Sequence, residues 1–131
     1  IDAEDPNMLF AFSIVFSPDG SRVLTGSDRG SVQLWDVESG KEIHTFYGFT
    51  SPMAFSPNGN YIVIGSGPEF VDLWDLESME WIQTIYCESD IENVAFFPDG
   101  KHILTHSNTV RIWDIRAFVG KTNINNFMLH Q

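Results

Sequence analysis

The 131-residue chain is predicted to be all-β, built from three consecutive copies of one small antiparallel sheet. Three observations carry this. A block of residue types recurs three times at nearly constant spacing. Each copy consists of short runs of Val, Ile, Phe and Thr bounded by turn residues. No segment shows a persuasive helical period.

The first copy contains Phe16-Ser17-Pro18-Asp19-Gly20, Val23-Leu24-Thr25-Gly26-Ser27 and Val32-Gln33-Leu34-Trp35-Asp36. The second repeats it as Phe55-Ser56-Pro57-Asn58-Gly59, Ile62-Val63-Ile64-Gly65-Ser66 and Val71-Asp72-Leu73-Trp74-Asp75. The third reads Phe96-Phe97-Pro98-Asp99-Gly100, Ile103-Leu104-Thr105-His106-Ser107 and Val110-Arg111-Ile112-Trp113-Asp114. Trp35, Trp74 and Trp113 are spaced by 39 residues both times, and the prolines by 39 and then 41. Proline to tryptophan is 17 residues in the first two copies and 15 in the third. The deficit falls where Asn108-Thr109 replaces Asp28-Arg29-Gly30-Ser31 and Gly67-Pro68-Glu69-Phe70, which marks that segment as a loop.

Within a copy, a strand ending at the first Phe leads into a turn, where Pro sets φ and Gly supplies the positive φ that follows. A second strand, the loop and a third strand ending in Trp-Asp come next. Ser39-Gly40 and Ser78-Met79 then turn the chain into fourth runs, Glu42–Phe46 and Trp81–Ile85. The third copy is weaker there, offering only Ala117-Phe118-Val119-Gly120 and Phe127-Met128-Leu129. Along the third strand both parities are apolar: Val32 and Leu34 face one way and Trp35 the other. A sheet with one solvated face would alternate cleanly, so each sheet is expected to be sandwiched between neighbours.

The composition bounds the function. An apolar fraction of 43% supports a packed core. A net charge of −11 argues against nucleic acid and against an anionic membrane surface, both of which call for Lys and Arg. The acids fall into separate groups, which reads most simply as a solvated acidic surface. No apolar run is long enough to span a bilayer as a helix, and the acidic start lacks the basic region of a secretory signal. Cys87 is the one cysteine, which precludes an intrachain disulfide and fits a reducing compartment, cytoplasmic or nuclear.

The three Trp-Asp endings, each preceded by a Pro-Asp/Asn-Gly turn and a Gly-Ser or His-Ser strand, resemble the WD-repeat β-propeller family over about residues 11 to 116. The resemblance implies blades of four antiparallel strands around a central channel. It places blade 1 at about 11–47, blade 2 at about 50–86 and blade 3 at about 91–131 of a single partial propeller. Trp35, Asp36, Trp74, Asp75, Trp113 and Asp114 are then structural residues of the repeat. Family blades often carry a Gly-His pair whose His joins a loop Asp, a Ser or Thr and the Trp. Here Gly48-Phe49 and Cys87-Glu88-Ser89 stand at that place, and Arg29 and Pro68 at the loop Asp position. The full network is therefore expected to be absent, with stability resting more on packing.

Three blades do not close a ring, so two apolar terminal faces are expected. If each exposed roughly 400 Å² of apolar surface, covering it would be worth about 10 kcal/mol. Either the chain is an excerpt of a longer propeller or copies associate. The missing initiator Met and the abrupt Leu129-His130-Gln131 end favour the excerpt.

No catalytic, cofactor or metal site is expected. His102 and His106 share a strand parity but stand about 13 Å apart, too far for one metal. His44 reads as a solvated edge residue, and His106 as filling space that the shortened loop vacates. Cys87 has no evident activating neighbour. Trp81, on an outer strand, reads as packing against the neighbouring blade. WD-repeat proteins act as platforms in multiprotein complexes, and the resemblance implies that other proteins are the partners. The expected surface is the face formed by blade-connecting loops and the loops between second and third strands, with Arg29, Tyr47, Phe49, Glu69, Glu88 and Asn108 as contacts. The alternatives are the propeller portion of a hydrolase such as a peptidase, and a purely architectural subunit of a large complex.

Overall fold

In the computed structural model the described residues are 11–27, 30–47 and 50–119. They form eleven strands in chain order: β1 Ala11–Phe16, β2 Arg22–Ser27, β3 Ser31–Asp36, β4 Glu42–Tyr47, β5 Thr50–Phe55, β6 Tyr61–Gly67, β7 Phe70–Asp75, β8 Glu80–Tyr86, β9 Asn93–Phe96, β10 His102–His106 and β11 Val110–Asp114. The strands make three antiparallel meanders, ordered β1-β2-β3-β4, β5-β6-β7-β8 and β9-β10-β11. The first strands of the sheets, β1, β5 and β9, lie side by side, so the sheets fan outward from a common inner edge.

The third sheet has three strands among the described residues. Ala117–Gly120, weighed above as a fourth run, is not a strand over its described part. Ile115–Ala117 is instead a 3₁₀ turn capped by Asp114, and Phe118 is buried. The run at Phe127–Leu129 lies outside the described residues.

The turns repeat as closely as the strands. Gly20, Gly59 and Gly100 have φ between 69 and 76°, a region that disfavours side chains. Their amides donate to the carbonyls of Ser17, Ser56 and Phe97, each at 2.9 Å. Val37, Leu76 and Ile115, the residues after each Trp-Asp, donate to the carbonyls of Ser21, Asn60 and Lys101 at 2.8–2.9 Å. Each sheet thus ties its two turns together at the same end, called here the lower end. The outer strand pairs shift register at one repeat position, Leu34/Trp35 and Leu73/Trp74, a bulge that increases twist.

The core lies between sheets. Leu24, Val32, Leu34 and Phe46 of the first sheet pack with Met53, Phe55, Ile62 and Ile64 of the second. Val63, Val71, Leu73 and Ile85 on the second sheet's other face pack with Val94, Ile103, Trp113 and Ile115 of the third. The outward faces of the first and third sheets remain apolar and open, with Ile14 61%, Phe16 59%, Val110 61% and Ile112 53% exposed.

Candidate functional site

The Trp-Asp pairs face the lower end and organise it. The Asp36 carboxylate accepts the Ser39 amide at 2.9 Å, Asp75 the Glu77 amide at 2.8 Å, and Asp114 the Arg116 amide at 3.0 Å. A carboxylate that accepts backbone amides is stabilised in its charged form. The Asp36 pKa is lowered by hydrogen bonds from Ser39. Asp114 is held at about 2, chiefly by the Arg116 side chain. The indoles turn inward: Trp35 Nε1 donates to Thr25 Oγ1, and Trp113 Nε1 to Thr105 Oγ1, both at 2.9 Å. Ile64 stands at that threonine position in the second sheet and offers no hydroxyl.

The second sheet carries a different polar set. Asp72, 7% exposed, accepts the Ser66 hydroxyl at 2.9 Å and the Thr84 hydroxyl at 2.6 Å, while Trp81 Nε1 donates to Thr84 at 3.1 Å. Burial raises the Asp72 pKa, and the two hydroxyl donors oppose that rise. Trp81 is 42% exposed and held by this bond rather than enclosed by a neighbouring sheet. His44 is half-buried rather than solvated, its ring 4.6 Å from Phe46 and 6.3 Å from Trp74. His106 is exposed and does not fill the space left by the short loop.

At the upper end, where the sheets connect, the expected contact residues have distinct surroundings. Tyr47 ends β4 and is 80% exposed. Glu69 lies in the β6–β7 loop, half-buried, and its carbonyl accepts the Cys87 amide at 2.7 Å. Glu88, at a left-handed φ of 69°, forms an ion pair with Arg111 of the third sheet. Asn108 Oδ1 accepts the Ser89 hydroxyl at 2.9 Å, and the Asn108 amide donates back to it at 3.1 Å. Arg29 and Phe49 lie outside the described residues. Glu88 and Asn108 therefore bind the second sheet's exit loop to the third sheet. Phe70 and Tyr86, absent from the expected set, face each other across β7 and β8 with ring centres 5.3 Å apart, 37% and 44% exposed. The signal for them was the replacement of Ser31 by Phe70 at one repeat position.

Cys87 is fully buried, and burial raises its thiol pKa against opposing effects of Thr105 and Arg111, which keeps it protonated and unreactive. Among the described residues no three His, Cys, Asp or Glu side chains are grouped to hold a metal. None of their helices is long and apolar enough to cross a membrane.

Fan-like sheets with adjacent inner strands and repeated Trp-Asp turns define a partial WD-repeat β-propeller. Solved structures agree: those of U3-55K and of the RRP9 WD40 repeats each superpose with a TM-score of 0.73 at 22% identity, covering 84% of this chain and 37% of theirs. Shorter stretches match periodic tryptophan protein 2 of Saccharomyces cerevisiae, 50% identical over 34 residues, which are 26% of this chain and 4% of that protein. They also match the probable serine/threonine-protein kinase PkwA of Thermomonospora curvata, 45% identical over 40 residues, 30% of this chain and 5% of that protein. The model of the eukaryotic translation initiation factor eIF2A family matches residues 17–117, and the chain belongs to that family.

Proposed function

We propose that this chain is part of a non-catalytic WD-type propeller that holds other proteins through its upper end. The observation that carries the reading is the contrast between the two ends. At the lower end, side chains of the repeat are occupied in closing turns, whereas the upper end presents Tyr47 at 80% exposure beside loops that differ from sheet to sheet. Variable loops on a rigid repeat are where such folds carry recognition. Among the described residues, Tyr47 and Glu69 are the contacts we propose; Arg29 and Phe49, also expected as contacts, lie outside them. Glu88 and Asn108 act there mainly by fixing the loop that displays it.

The family name adds the process: components of translation initiation are the partners we infer, in a cytoplasmic or nuclear setting. A net charge of −11 favours proteins over direct contact with RNA phosphates or membranes. The open faces at Ile14/Phe16 and Val110/Ile112 are to be covered by further blades of a longer chain, or by a second copy. No residue arrangement described above favours the hydrolase alternative.

The test is capture of initiation components on the immobilised parent protein. Tyr47→Asp and Glu69→Lys are expected to reduce capture about tenfold without lowering the melting temperature, as central contacts do. Capture indifferent to both changes would remove this surface. Peptidase turnover abolished by a single substitution would replace the platform reading altogether.

A further inference from the structure

We infer that the aromatic ledge formed by Phe70 and Tyr86 is a docking point for an arginine-bearing basic segment of a partner protein. The inference rests on the platform reading and names the chemistry of one contact. Three observations converge on it. The blade architecture does not require the Phe70 ring, because Ser31 occupies its position in the first sheet, opposite Tyr47, and that sheet pairs in the same register. The rings are tilted 36° to each other at 5.3 Å and stay exposed, while Val71, Asp72 and Leu73 just beyond them are buried. A pair of large apolar rings left at a sheet corner marks a contact rather than a core.

The third observation is charge. The two loops that flank the ledge carry Glu69, Glu88 and Asp90, followed by Glu92. The one described cation at this end is Arg111, which is engaged with Glu88. The other described cations, Arg22, Lys41, Lys101 and Arg116, belong to the lower-end turns. A guanidinium is the side chain that suits both features: it stacks on an aromatic face and pairs with a carboxylate. A purely apolar segment would satisfy only the rings, and an anionic one neither feature.

The probe is a short peptide alternating glycine and arginine, with its glutamate counterpart as control, titrated against the chain by chemical-shift perturbation. The arginine peptide is expected to move the Phe70 and Tyr86 signals, and the glutamate peptide to leave them in place. Phe70→Ser, which restores the first sheet's own residue, and Tyr86→Ser are each expected to weaken binding about twofold to fivefold. Glu69→Lys is expected to weaken it further, in a salt-dependent way. Equal response to both peptides, or arginine-peptide binding unchanged in Phe70→Ser and Tyr86→Ser, would overturn the ledge. In that case capture still sensitive to Tyr47→Asp leaves the platform reading standing. Conversely, arginine-peptide binding at the ledge with no partner capture by the parent protein sinks the platform and keeps the ledge.

Discussion

The second and third sheets are two readings of one motif. Leu73 and Ile112 hold the same place, two residues beyond Val71 and Val110 and just before the Trp. Yet Leu73 is fully buried and Ile112 is 53% exposed. At the opposite end of the fan the first sheet repeats the lesson, with Ile14 61% and Phe16 59% exposed where Met53 and Phe55 are 7% and 8%. The sheets are built alike. What differs is whether a neighbour lies against the face, so in a propeller the environment of a residue belongs to the pair of blades and not to its own strand.

The largest test of that contrast is to truncate the two equivalent residues. Leu73→Ala is expected to cost about 2–5 kcal/mol in a urea melt, because it removes buried methyls and leaves a cavity. Ile112→Ala is expected to cost under about 1 kcal/mol in the isolated chain, where its side chain is already wet. Repeating the pair in a closed ring should raise the second value toward the first; equal costs in the isolated chain would mean that the open face is already covered. A smaller contrast lies in the tryptophans. Thr105→Val takes the acceptor from an indole that is 2% exposed, at an expected cost of about 1–3 kcal/mol. Thr25→Val does the same to the half-buried Trp35, where water can substitute and the loss should be smaller, read as the difference in urea midpoints.

These contrasts show which parts of the molecule were legible in the residues. The strands and turns were, because Pro-Asp-Gly and the β-branched runs act locally and carry their own geometry. The apolar terminal faces followed from strand parity. The partnership of Glu88 with Arg111 was not legible, because it joins two sheets through a loop whose path the spacing does not specify. His44 looked like a solvated edge residue for the same reason: its neighbour Trp74 comes from another copy of the motif. Asp72 sits in a variable repeat position, held by Gln33 and Arg111 in the other sheets, and its hydroxyl partners come from a loop edge and the outer strand. Among the expected contact residues, Tyr47, read as part of a blade-connecting loop, ends β4 and is exposed, while Glu88 and Asn108 turned out to be bonded to the adjacent sheet.

The tie between sheets at the upper end is open to a weaker perturbation. Arg111→Met breaks the pair with Glu88, which is 55% exposed, so the loss should be about 0.5–1 kcal/mol and should fade as salt is raised. Asn108→Ala removes the Oδ1 acceptor of the Ser89 hydroxyl but keeps the backbone bond to Ser89, and should cost a similar amount or less without salt dependence. If Arg111→Met changed stability equally at low and high salt, the residue would be acting through the packing of its stem instead of its charge.

At neutral pH the smallest expected effect is that of Asp72→Asn, and its value is in the slope. Burial raises the Asp72 pKa in the folded chain above its unfolded value near 4, so the folded state binds more protons between those two values. Stability contributed by this group therefore rises as pH falls through the folded value, and levels off below the ordinary carboxylate range. Asp19 and Asp114 work in the opposite sense. Both are held at about 2, Asp19 by hydrogen bonds from Ser21 and Ser17 and Asp114 chiefly by Arg116, so their contribution is present above pH ~4 and is lost as pH falls toward 2. The carboxamide introduced by Asp72→Asn can still accept from Ser66 and Thr84, as Asn58 accepts the Ser56 hydroxyl at 2.8 Å where the first sheet uses Asp19. The substitution should erase the rise on the mildly acidic side and leave the loss below pH ~4 unchanged. Urea melts at a series of pH values distinguish the two limbs. A variant that keeps the rise would show that a group other than Asp72 is taking up the proton.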